Sequence, residues 1–173
     1  LLTPALKEML YSFFRREMMS LERSGALLSD SDYFLYIRNR RDISLGGNRV
    51  KSMGEKFIAD FLFEHNIPYT YERQEFWSGH VYHPDFSLFT HGVTIEFWGI
   101  DENDPGRQVP GWWAITWEEY HNQMKDKRAY WHEKDVSLVE FSIADLTGRR
   151  EDFEAVVKAR LTKAGVECKK LSK

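Results

Sequence analysis

The spacing of apolar residues divides the chain into helical ends and a strand-rich middle. Leu6, Met9, Leu10, Phe13, Phe14 and Met18 recur at helical intervals and predict a helix over residues 3 to about 24. Residues 26–48 are polar and basic with a Gly46-Gly47 break, which predicts a short helix followed by a loop. A second strong helix is predicted over 50–65, where Met53, Phe57, Ile58, Phe61 and Leu62 share one face, and Asn66 and Pro68 end it. Three β-like runs follow at 69–73, 81–89 and 93–98. A loop over 101–111 carries Pro105, Gly106, Pro110 and Gly111. Beyond it the pattern predicts a helix over about 116–132, an apolar strand over 136–141, a helix near 151–163 and a short terminal strand through Val166. This order predicts an α/β fold, a central mixed β-sheet flanked by helices, with an extra N-terminal helical segment over 1–45 and the main domain over 46–173.

Composition narrows the setting. A chain of 173 residues that is 42% hydrophobic and 15% aromatic can bury a core. No apolar run approaches the ~20 residues of a membrane span, so no membrane partner is expected. The start, LLTPALKEML, lacks a Met and suggests a processed chain or a piece of a longer protein. The single cysteine, Cys168, cannot form an internal disulfide, which makes a reducing cytoplasm the expected compartment and a small apolar residue in a late strand its expected role. The net charge of −3 and pI near 6.1 argue against autonomous tight binding of nucleic acid. Basic clusters at Arg38, Arg40 and Arg41, at Arg49 and Lys51, and at Lys125, Lys127 and Arg128 each read as a solvated face.

Candidate chemistry begins in the strands at 81–89 and 93–98. If Thr90 and His91 form the turn, Asp85 falls opposite Glu96 on the same sheet face, where cross-strand Cβ atoms lie about 4.5–5.5 Å apart. Two carboxylates there repel unless they share a proton or hold a cation, and oxygen ligands of this kind suit Mg²⁺ or Mn²⁺. A register shifted by one residue, or nearby Arg and Lys, would remove the need for either. Glu55, on the second helix, is either a third acid approaching that site or the partner of Ser52 in a capping box, Ser52-x-x-Glu55. On the helix over 116–132, Tyr120, Met124, Lys127 and Trp131 form one stripe, so Lys127 interrupts an apolar face. It either meets a carboxylate or snorkels past Met124 to water. The tryptophans beside the 101–111 loop, Trp112, Trp113 and Trp117, read as core or lid residues or as stacking surfaces for bases. A histidine-based site on His83, His91 and His121 has no HExxH spacing behind it.

The segments VKSMGEKFIADFLFEHNIPYTYE, YHPDFSLF and VTIEFWGI, followed by Tyr120…Lys127-Arg128, resemble the PD-(D/E)xK (restriction-endonuclease-like) nuclease superfamily. More narrowly, they resemble the nuclease module of some UvrD-like superfamily 1 DNA helicases, over about residues 45–142. The resemblance implies a restriction-endonuclease-like αβββαβ core in residues 46–173 and divalent-metal-dependent hydrolysis of DNA. It implies Mg²⁺ or Mn²⁺ as cofactor and a helicase motor, in the same or another chain, as partner. It makes Glu55 the helix acid and Asp85 and Glu96 the main metal ligands, completed by the backbone carbonyl of Phe97. Lys51, Arg49, Gln74, Tyr120 and Arg128 become candidate substrate contacts. The family's usual lysine, two residues after the second acid, is replaced by Trp98, and Lys127 occupies the position of a lysine that has migrated to the following helix. Without Lys127 at the site, the same resemblance implies a catalytically degenerate module that binds DNA or a protein partner.

Overall fold

The computed structural model describes residues 30–77, 80–104, 106, 108–134 and 136–170. The helix predicted over 3–24 lies outside the described residues. Helix α1 spans Asp30–Asn39, and the loop after it closes on itself through a bridge between Ile43 and Arg49. Helix α2, Met53–Glu64, starts at Ser52, whose hydroxyl accepts the Glu55 N–H, and ends where Asn66 turns into the left-handed region. Strand β1 is Thr70–Tyr71, β2 Glu75–Trp77, β3 His80–Tyr82, β4 Phe86–Leu88 and β5 Val93–Trp98. Helix α3, Trp117–Glu133, opens with a capping box between Thr116 and Glu119; β6 is Ser137–Ser142 and α4 is Arg150–Lys163.

The four-stranded sheet runs β1-β4-β5-β6, antiparallel through β5 and parallel between β5 and β6, while β2 and β3 form a separate antiparallel hairpin. The fold is therefore α/β, with a mixed sheet flanked by helices. Alternate sheet residues face opposite ways. Phe86, Leu88, Val93, Ile95, Phe97, Val139 and Phe141 pack with Ile58, Phe61 and Leu62 of α2 and Phe153, Val157 and Leu161 of α4. The intervening residues of β4 and β5, Ser87, Thr94 and Glu96, are also buried, although polar. Both faces of these strands are covered, so burial here does not follow the apolar–polar alternation. No helix among the described residues is long and apolar enough to cross a membrane.

Three expectations are corrected. The run 81–89 is not one strand: it breaks at His83-Pro84-Asp85 because Pro84 has no N–H for a ladder. Its first half pairs with β2 and its second with β1 and β5. The run 69–73 shortens to two residues because Glu72 adopts φ 49° and turns the chain away. The terminal strand is absent: Gly165, at φ 82°, and Val166 donate back to Thr162 and Leu161 and close α4, so Cys168 lies in irregular chain. The segment 37–45 also packs across the 45/46 division, with Ile37, Ser44 and Leu45 buried.

Candidate functional site

The β4–β5 hairpin turns through a short 3₁₀ segment, Phe89–His91, and Gly92 at φ 61°. Its register pairs Phe86 with Ile95, and one step further sets Asp85 opposite Glu96. Asp85 stands immediately before β4, where Pro84 has interrupted the ladder, and its Oδ2 accepts the Phe97 N–H at 2.6 Å. Glu96 is 1% exposed; its Oε2 accepts Lys127 Nζ at 2.8 Å and its Oε1 accepts Trp131 Nε1 at 3.2 Å. Both donors lie one turn apart on α3. Lys127 Nζ also reaches the His83 carbonyl at 3.4 Å and stands 5.5 Å from the centre of the Trp98 ring. Trp98, two residues after Glu96, is itself fixed by its Nε1 bond to Glu140 at 2.8 Å.

Burial, and then the charge of Glu96, push the Asp85 carboxyl well above the ordinary carboxylate range, against the opposing pull of Lys127. Burial raises Glu96 as well, again opposed by Lys127. The physical content is a local crowding of acids: a half-buried Asp85 and a buried Glu96 with one adjacent ammonium. Oxygen donors in that state suit a hard divalent cation. Among the described residues, no three His, Cys, Asp or Glu side chains form a group with metal-binding spacing.

Glu55 is buried, and it lines a cavity with Asp85, Glu96 and Lys127. The Ser52 hydroxyl accepts the Glu55 N–H at 3.1 Å and donates to Oε1 at 2.9 Å. Oε2 accepts the Lys51 N–H at 3.0 Å and the Tyr71 hydroxyl. The expected capping box is thus altered: the return bond goes to Lys51 N–H rather than to that of Ser52.

A cavity of about 400 Å³ is lined by Glu55, Asp85, Glu96, Phe97, Trp112 and Tyr120, among others. A neighbouring one of about 650 Å³ is lined by Glu72, Val81, Tyr82, His83 and Asp126. Both include Lys51, Asp85, Gln123 and Lys127, so they are two arms of one groove that meet over the acid–lysine cluster. Lys51 pairs with Glu72 at the junction. The Tyr120 hydroxyl accepts the Gly99 N–H at 3.0 Å, and burial pushes it up to about 12.

Other proposed contacts lie elsewhere. Arg128 is held by Glu102 through two bonds of 2.8 and 2.7 Å and by Glu140 at 2.6 Å, and it lines a different cavity. Two acids separated from it in sequence claim its guanidinium. Arg49 and Gln74 are exposed and line neither arm, because the Ile43–Arg49 bridge and the turn at Glu72 carry them away. Sequence reasoning missed Gln123, Tyr71 and Gly99. Gln123 carried a usable signal, one position before Met124 on α3, whereas Tyr71 and Gly99 are placed by tertiary contacts. No family model matches the chain, and no curated protein or solved structure matches it significantly.

Proposed function

We propose that this chain is a divalent-metal-dependent DNA nuclease of the PD-(D/E)xK, restriction-endonuclease-like type. The observation that carries the reading is the half-buried Asp85 set opposite the buried Glu96, at the meeting point of two groove arms, with Lys127 2.8 Å from Glu96. The element order α2-β1-β4-β5-α3-β6 also follows an αβββαβ core, with the β2–β3 hairpin inserted after the first strand. Asp85 and Glu96, with the backbone carbonyl of Phe97, are the residues that would hold Mg²⁺ or Mn²⁺. A bound ion supplies Lewis-acid polarisation of the scissile phosphate and lowers the pKa of water. Lys127, steadied by Glu96 and the Trp98 ring, offers its ammonium to charge developing on the phosphate. Glu55 keeps the start of α2 against Tyr71 and adds negative charge to the wall. Lys51 and Tyr120 border the path of the strand. The net charge of −3 suits a module to which a helicase motor, in the same chain or another, delivers DNA.

A second reading has its own support: both Glu96 oxygens are already hydrogen-bonded and Lys127 is closed onto one of them, as in a degenerate module that only binds. Incubation with supercoiled plasmid separates the two. The nuclease reading expects nicking in Mn²⁺ or Mg²⁺, none in EDTA, and background levels for a folded Asp85→Asn variant. Lys127→Ala is expected to lose roughly a hundredfold or more in rate. Cleavage that persists in EDTA or in Asp85→Asn contradicts the metal site. Binding of DNA without cleavage in any metal favours the degenerate module.

A further inference from the structure

Trp112 stands out among the aromatic side chains at the groove. It is 84% exposed, yet it lines the same arm as Asp85, Glu96 and Lys127. Its mounting is not loose. The turn below it is closed by the Trp113 N–H donating to the Pro110 carbonyl at 2.8 Å. The Trp113 ring lies on Gly99 so closely that a Cβ there would fall 2.6 Å from it. Trp113 also packs at 5.1 Å on Tyr120, whose hydroxyl holds the Gly99 N–H. Trp112 meets this anchored ring edge-on, at 5.9 Å and 82°. An indole is thus held out to solvent at the rim, with one neighbour buttressing it.

We infer that Trp112 is a stacking platform for an unpaired nucleobase, so that the groove takes a single-stranded segment of nucleic acid rather than an intact duplex. A base can give its face to an indole only when it is out of its own stack, whereas the bases inside a duplex cover one another. Charge points the same way. Duplex binding relies on many phosphate contacts by Lys and Arg, and this chain has a net charge of −3. Of the cations near the site among the described residues, Arg128 is committed to Glu102 and Glu140, which leaves Lys51 and Lys127 on the groove. Aromatic stacking supplies affinity that so small a basic lining does not. Trp112 lines the same arm of about 400 Å³ as Asp85 and Lys127, so a base stacked on it would lie beside a phosphate held over those two residues. The assignment rests on the nuclease reading only for what happens to that phosphate.

The test is fluorescence anisotropy in EDTA with labelled oligo-dT, oligo-U and a mixed-sequence duplex of equal length, on the full chain and on Trp112→Ala and Trp112→Phe. The wild type is expected to prefer a single strand to the duplex. Trp112→Ala is expected to lose about tenfold in affinity for that strand with an unchanged melting temperature, while Trp112→Phe keeps most of it. Whether oligo-dT or oligo-U responds identifies the source of the base. Equal single-strand affinity for wild type and Trp112→Ala, an equal loss on the duplex, or no binding of either single strand overturns the assignment. Parallel incubation of plasmid and of the same labelled single strands with Mn²⁺ keeps the two ideas apart. Cleavage of either with no Trp112 effect on single-strand binding defeats the stacking role alone, whereas Trp112-dependent binding with neither plasmid nor single strand cleaved defeats only the nuclease.

Discussion

Asp85 and Glu96 are held where water would prefer them not to be, and the adjacent ammonium of Lys127 only partly compensates. Asp85 therefore binds its proton more tightly in the folded chain than in the unfolded one. The folded state then carries the extra proton between the ordinary carboxylate range and Asp85's raised value. Stability falls as pH rises through that window and levels off above it. In EDTA, Asp85→Asn, which has no charge to bury, is expected to melt above wild type at the alkaline end, with the gap closing as pH falls through the window. Circular-dichroism melts across pH would show this, and a variant that melts below wild type at the alkaline end would contradict it. On the proposed reading, Mn²⁺ closes the same gap from the other side by stabilising the wild type. Trp98 illustrates a different residue-scale economy. Its ring carries Lys127 on its face, so the aromatic side chain helps position a cation that arrives from another element.

At the scale of elements, the groove depends on how closely α2 approaches β5. Gly54 makes that approach possible, because a Cβ there would lie 2.1 Å from the Phe97 ring. Phe97 in turn gives its N–H to Asp85, so the helix, the strand and the acid are set by one contact chain. Helix propensity alone favours alanine over glycine by about 1 kcal/mol. Overlap with a buried ring outweighs it, and Gly54→Ala is expected to lose ~1–2 kcal/mol in urea denaturation. A gain in stability would mean that the ring yields freely. Helix α3 is the other organising element. Its spacing alone placed Lys127 and Trp131 on one stripe with Met124, and that stripe lies over Glu96. Arg128, the next residue in sequence, points away from the groove to Glu102 and Glu140, which helical geometry also dictates.

At the scale of the molecule, the segment 37–45, α2 and α4 are tied by a buried charge network that plays no part in the groove. Lys56 Nζ donates to the Ile43 carbonyl at 2.7 Å and the Ile37 carbonyl at 3.2 Å, and lies 3.1 Å from Asp60. Asp60 accepts the Leu45 N–H at 2.7 Å and has Arg150 of α4 at 3.4 Å. Burial lowers Lys56 and raises Asp60, so each depends on the other to stay ionised. Lys56→Met strands a buried carboxylate and two carbonyls, and is expected to cost about 3–5 kcal/mol. Combined with Asp60→Asn it is expected to cost less than the sum of the two single losses by ~1 kcal/mol or more, read from denaturation cycles. Additive losses would show that the pair is not a unit. In the sequence Lys56 and Asp60 are an ordinary i,i+4 pair of the kind common on exposed helix faces. Nothing local reveals that residues 37–45 and α4 cover them.

Local rules reached a definite part of this protein. Apolar spacing located α2, α3, α4, β5 and β6. The length of the turn after Leu88 set Asp85 against Glu96, and a 3.6-residue period turned Lys127 toward the sheet. These follow from chain geometry, which acts between near neighbours and is the same in every context. The tertiary structure decided what surrounds those faces: that Glu96 is closed in by Trp131, that Glu55 is fastened by Tyr71, that Arg128 is taken by Glu102, and that Trp112 is left in solvent beside the acids. Burial and partnership are properties of segments distant in the chain, and they determine which of two equally spaced charges meets a groove and which meets a counter-ion. Asp85 and Glu96 could be paired from the sequence on the condition that Thr90 and His91 form the turn, and the register of the folded hairpin meets it. Their shortage of positive charge arises only when the sheet and its helices close around them.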